Sequence, residues 1–159
     1  MNTLPELGSI APNFTLPDQN GTKHTLSDYF DKGNTILLYF YPKDDTPGCT
    51  TEACTLESSL PDLHNVNATI FGISTDSVAS HREFADKHSL TFTLLADENK
   101  EVVSLYGVWG KKKFNGKEYE GTMRTSFLIN SEGKILKIYE DVVPESHAQE
   151  VLSDIRELK

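Results

Sequence analysis

Two unbroken apolar stretches, Asn34-Thr-Ile-Leu-Leu-Tyr-Phe-Tyr-Pro42 and Ala68-Thr-Ile-Phe-Gly-Ile-Ser-Thr75, constrain the fold of this chain more than any other feature. Neither alternates apolar with polar residues, so each reads as a strand covered on both faces. The sequence between them is helix-compatible from Cys49 to Asn65, with Pro61 ending or kinking the helix. A strand, a helix and a second strand in that order form a β-α-β unit, whose strands run parallel.

The flanking sequence extends this unit. Phe14 to Leu26 reads as two short strands about an Asn20-Gly21 turn, an N-terminal β-hairpin, with a short helical piece near Ser27 to Phe30. A helix is expected over Ser77 to His88 with Ser77 as its N-cap, then a strand over Thr91 to Leu95 and a short helix over Asn99 to Val108. Met123 to Asn130 and Lys134 to Tyr139 form a hairpin, with Gly133 at the positive-φ position of its loop. The chain closes in an amphipathic helix from about Glu145, with Ala148, Val151, Leu152, Ile155 and Leu158 on one face. The expectation is a single α/β domain over residues 1–159, a central mixed sheet flanked by helices.

Charge narrows the function. With 24 acidic against 15 basic residues the net charge is −9, which disfavours nucleic acid or an anionic membrane as partner. The one basic run, Lys111 to Lys113, sits close to Glu118 and Glu120 and reads as a solvated loop. The opening MNTLPELGSIAPNF has neither a basic n-region nor an apolar h-region, and the longest strongly apolar run, Ile36 to Tyr41, is far too short to span a bilayer. A cytoplasmic protein is expected. In that compartment thiols are kept reduced, so paired cysteines are more often catalytic or metal-binding than structural.

Both cysteines of the chain lie in Thr46-Pro-Gly-Cys-Thr-Thr-Glu-Ala-Cys54. Thr46 suits an N-cap and Pro47 the first helical position, which puts Cys49 in the first turn, where free amides and the helix dipole favour an anion. Gly48 lets a substrate or an incoming sulfur approach the backbone closely. Cys54 follows five residues later, about 8.6 Å away between Cα atoms in an intact helix. A disulfide reaches only about 7 Å, so the two sulfurs bond only if the helix unwinds. Zinc would need four ligands in closer pairs, and His24, His64, His81, His88 and His147 are scattered over different elements, so no metal or cofactor is expected. The spacing does allow a cycle in which Cys49 is oxidised first and then condenses with Cys54, the oxidant being a peroxide.

Cysteines just beyond the first long central strand look like a thioredoxin-like fold. Phe40-Tyr-Pro-Lys-Asp-Asp-Thr-Pro-Gly-Cys49 resembles the peroxiredoxin signature P-x-x-x-T-x-x-C, met by Pro42, Thr46 and Cys49. Phe71 to Asp76, Phe92 to Asp97, Tyr106 to Gly110 and Arg124 to Ile129 continue the resemblance, which is to the bacterioferritin comigratory protein or peroxiredoxin Q subfamily. It implies that Cys49 is peroxidatic, that Thr46 hydrogen-bonds the thiolate and a peroxide oxygen, and that Pro42 shields the sulfur. Backbone amides near Gly48 and Cys49 complete the implied pocket. The family's arginine matches Arg124; of the three arginines, Arg82 and Arg156 fall on polar helix faces. A fixed guanidinium there stabilises negative charge on sulfur and on the leaving oxygen. Glu52, three residues after Cys49, would orient Arg124 or simply complement the helix dipole. Cys54 matches the resolving cysteine of members that carry one in this helix, although Thr55-Leu-Glu-Ser58 stands where an Arg-Asp pair is frequent. Trp109 and Phe114 line the entrance or, more simply, pack.

The implied activity is reduction of hydrogen peroxide and organic hydroperoxides, with thioredoxin or a similar dithiol as reductant. An intrachain resolving cysteine removes the chemical need for a second subunit, so a monomer is expected. Two alternatives stand beside it, a general thiol-disulfide oxidoreductase and a redox-switched binding protein.

Overall fold

The computed structural model describes residues 3–158, apart from the side chain of Phe114. The N-terminal hairpin pairs β1 (Thr15–Pro17) with β2 (Lys23–Thr25) antiparallel. Asp18 Oδ1 holds its turn by accepting from the amides of Asn20 and Thr22. A 3-10 turn, Leu26–Tyr29, leads to the first long strand, β3 (Thr35–Phe40).

The predicted helix after β3 is divided. Helix α1 spans Pro47–Ser58 and α2 spans Leu60–Asn65, with Ser59 between them and Pro61, which has no amide hydrogen to donate, in the first turn of α2. Strand β4 (Ala68–Ser74) follows, then α3 (Val78–His88), whose N-cap Ser77 accepts from the Ser80 amide. Next come β5 (Thr93–Ala96) and α4 (Glu101–Leu105).

Residues Lys111 to Lys113 correct the sequence reading. They are not a loop but the middle of β6 (Trp109–Phe114), paired antiparallel with β7 (Lys117–Thr122). Lysine has little strand propensity, and cross-strand Glu118 and Glu120 supply the pairing that the pattern along the chain does not reveal. Strands β8 (Thr125–Ile129) and β9 (Ile135–Tyr139) form the expected hairpin, with Gly133 at φ 92°, and α5 (His147–Leu158) closes the fold.

The main sheet is mixed, in the order β5-β4-β3-β8-β9; β3 pairs parallel with β4 and antiparallel with β8. Side chains of β3 alternate between two cores. Leu37 and Tyr39, with Tyr41 just past the strand, face a cluster built with α1, α2, α3 and α5, and Ile36, Leu38 and Phe40 face one built with α4 and the N-terminal segment. That double burial explains the unbroken apolar run. Ala148, Val151, Leu152 and Ile155 of α5 are buried as expected, but Leu158, the last described residue, is exposed. Among the described residues no helix is long and apolar enough to cross a membrane.

Candidate active site

The site is built where β3 ends and α1 begins. Thr46 has the extended backbone of an N-cap (φ −90°, ψ 155°) and Pro47 takes the first helical position. The capping expectation fails in one respect: the Thr46 hydroxyl accepts no helix amide and instead donates to the Lys43 carbonyl at 2.9 Å. Its single hydrogen stays within the loop, which leaves the oxygen lone pairs as what Thr46 can offer a ligand. The first α1 amides, at Gly48 and Cys49, have no intrahelical acceptor by helix geometry.

Cys49 is buried, and Arg124, just ahead of β8, donates to its Sγ from Nη2 at 3.3 Å. The other arm of the guanidinium, Nη1, donates to Glu52 Oε1 at 3.2 Å. One cation thus bridges a thiol and a carboxyl set one turn apart on α1. Glu52 is 1% exposed, and burial pushes its carboxyl up to about 7 while the Arg124 charge and hydrogen bond pull it back down.

Gly48 has a different use from the one the sequence suggests. What comes close to its backbone is Arg124, whose Nη2 lies 2.6 Å from where a Cβ would stand. Pro42 is half-buried at the end of β3. Cys54, also a free thiol and half-buried, lies on the same unbroken helix and lines a groove toward α5 with Thr50, Thr55, Glu145 and Gln149.

The sequence reading missed Lys112. Its Nζ donates to the Thr122 carbonyl, two residues before Arg124. Its pKa is lowered, first by burial and next by Arg124, against a raising pull from Cys49. A strand-period pattern at 109–114 was the one signal for it, and consecutive lysines obscure that pattern. Trp109 packs against the opposite core and donates to Glu120, and the expectation for Phe114 lies outside the described residues.

Three buried side-chain oxygens have no hydrogen-bond partner among the described residues: Tyr39 Oη, Glu52 Oε2 and Thr122 Oγ1. Tyr39 shares the core cluster of Cys49, and Thr122 is the residue Lys112 binds. Unpaired buried oxygens are costly, and the one on Glu52 belongs to the carboxyl that shares Arg124 with Cys49. Asp44, Asp76 and His81 bring metal-ligand-type atoms within 4.8 Å of one another, but each is engaged by hydrogen bonds within the protein.

Comparison with known proteins shows what the chain as a whole is similar to. The model of the AhpC/TSA family matches residues 7–138. Peroxiredoxin Bcp of Escherichia coli is 45% identical over 157 residues, 99% of either chain. A crystal structure of a Xylella fastidiosa PrxQ mutant matches with a TM-score of 0.91 at 33% identity, covering 98% of both chains. The Xanthomonas campestris bacterioferritin comigratory protein, solved as a trapped intermediate/ligand complex bearing on alkyl peroxide reduction, matches at 0.84 and 34% identity, over 91% of each chain.

Proposed function

The chain belongs to the AhpC/TSA family and is a thiol-dependent peroxidase of the Bcp/PrxQ kind, and on that premise we propose that Cys49 is its peroxidatic and Cys54 its resolving cysteine. The observation that carries this reading is the Arg124 bridge from Cys49 Sγ to Glu52 Oε1. A guanidinium donor on sulfur favours the thiolate, and the same donor meets the charge that develops on a leaving oxygen.

The thiolate attacks the terminal oxygen of ROOH. The S–O bond forms as the O–O bond breaks, its electron pair leaves on RO⁻, and a proton converts that to ROH. Cys49 is oxidised to the sulfenic acid and the peroxide is reduced. Thr46 accepts a hydrogen bond from the peroxide, Pro42 limits access of water to the sulfur, and the Gly48 and Cys49 amides face the substrate. Cys54 then attacks the sulfenic sulfur, forming the disulfide and releasing water, which requires α1 to unwind. A dithiol such as thioredoxin restores both thiols.

The alkyl peroxide reduction associated with the Xanthomonas protein favours organic hydroperoxides beside hydrogen peroxide as substrates. Residues 1–159 act as one cytoplasmic domain, and as a monomer, because both thiols of the cycle lie on α1. The test is a coupled assay of peroxide, thioredoxin, its reductase and NADPH. Cys49→Ser should abolish NADPH consumption, and turnover surviving in that variant would overturn the assignment.

A further inference from the structure

The loop that delivers Cys49, residues 41–46, is fastened from outside by a hydrogen-bonded pair that the peroxidase chemistry does not use. Asp44 is 7% exposed and His81, on α3, is fully buried. His81 Nδ1 lies 2.6 Å from Asp44 Oδ2, and His81 Nε2 lies 2.9 Å from the Leu95 carbonyl in β5. A carbonyl only accepts, so Nε2 carries a hydrogen. The bond between Nδ1 and Oδ2 then holds one proton, which sits on Nδ1 because Tyr41 and Ser80 already donate to the Asp44 carboxylate, and the pair as a unit is electrically neutral. A neutral, fully bonded pair avoids the penalty of a lone buried charge.

The rest of the carboxylate is equally engaged. Tyr41 donates its hydroxyl to Asp44 Oδ1 at 2.6 Å and Ser80 donates to Oδ2 at 2.8 Å. The Asp44 amide donates to Asp76 Oδ2, which also receives the Ser74 hydroxyl. One loop residue is thereby joined to β4, α3 and β5. None of these anchors is part of α1.

We propose that Asp44 and His81 are positioning residues of the peroxidase centre, a neutral clamp that holds the loop bearing Thr46, and with it the first turn of α1, against Arg124. The proposal rests on the assignment of Cys49 as the reacting thiol. Its particular value lies in the cycle: when α1 unwinds, its own hydrogen bonds no longer place its N-terminus, whereas a clamp on α3 and β5 persists. The loop needs such a hold, since Asp45 sits in the left-handed region at φ 60° and the side-chain cap at Thr46 is missing.

The test pairs a spectroscopic and a kinetic readout on the full chain, with Asp44→Asn as a nearly isosteric change. In wild type, nitrogen-15 spectra should show His81 with hydrogen at Nε2 and a proton held at Nδ1. Asp44→Asn should turn Nδ1 into a lone-pair nitrogen. Oxidation of Cys49 by hydrogen peroxide in a single turnover should slow about ten- to a hundredfold, the usual effect of a small misplacement of reacting groups. Reduction of the preformed Cys49–Cys54 disulfide by dithiothreitol should keep its wild-type rate. An unchanged oxidation rate, or the same His81 spectrum in both proteins, would overturn the clamp. If Asp44→Asn does not fold, Ser80→Ala trims one bond from the same carboxylate and should slow oxidation roughly two- to tenfold; no slowing there counts against the proposal as well. A wild-type Cys49 inert to peroxide would refute the peroxidatic assignment instead, and the His81 spectrum would still report on the pair.

Discussion

Gly48 and Arg124 fit together through an absent atom: a Cβ on residue 48 would stand 2.6 Å from Arg124 Nη2 and 3.3 Å from its Cζ. The same Nη2 donates to Cys49 Sγ. The glycine beside Cys49 therefore gives the guanidinium the space from which it reaches sulfur.

Gly48→Ala should push the guanidinium off Cys49 without disturbing α1, where alanine is the better helix former. The second-order rate of Cys49 oxidation should fall about ten- to a hundredfold, the scale of losing one well-placed donor or a small misplacement. Stopped-flow oxidation by hydrogen peroxide, with circular dichroism as the check on folding, measures this.

Glu52→Gln should flatten part of the pH dependence of stability. The folded carboxyl is raised from 4.5 to about 7, chiefly by burial. Between those values the unfolded chain releases the proton and the folded chain keeps it. The favourable contribution is therefore complete below 4.5 and is lost as pH rises through about 7. At about 1.4 kcal/mol per unit this amounts to roughly 3 kcal/mol. Asp18 and Asp154, whose pKa values are lowered, act below this window and with the opposite sign. Urea midpoints taken from pH 4 to 8 should decline in wild type and vary less in the glutamine variant.

Cys54→Ser should leave the first oxidation step intact and block the second. After one equivalent of peroxide, mass spectrometry should find wild type two hydrogens lighter and the variant one oxygen heavier. Hydrogen exchange should show the α1 amides losing protection in oxidised wild type alone, because only there must the helix open.

Lys112→Met tests the half-buried amine that binds the Thr122 carbonyl and feels the charges of Arg124 and Cys49. Removing its charge should slow Cys49 oxidation roughly two- to tenfold, in keeping with one partly buried charge interaction. Lys112→Arg should restore most of the rate, and the deficit of the methionine variant should shrink as salt screens the interaction.

Much of the fold was legible because it is local. The double-sided burial of β3 is visible as an unbroken apolar run, the N-cap of α3 as Ser77, and the break between α1 and α2 as Pro61. The hairpin of β6 and β7 escaped because three lysines hide its period, and the glutamates opposite Lys111 and Lys113 lie on the other strand. Thr46 was legible as a helix boundary but not in its hydrogen bonding, since Lys43 O competes for the hydroxyl from within the same loop.

The sequence by itself determined the order of elements, the place of both thiols on one helix and the geometric bar to their bonding there, all of which follow from residue spacing and backbone preference. Only the tertiary structure decided that Arg124 crosses 75 residues to reach Cys49 beside Gly48, that Glu52 is buried enough to hold its proton to about 7, and that His81 lies within hydrogen-bond reach of Asp44 in the loop. Each of those depends on which groups are excluded from water together. That is fixed by the pairing of β3 with β4 and β8, which brings the partners in from distant parts of the chain.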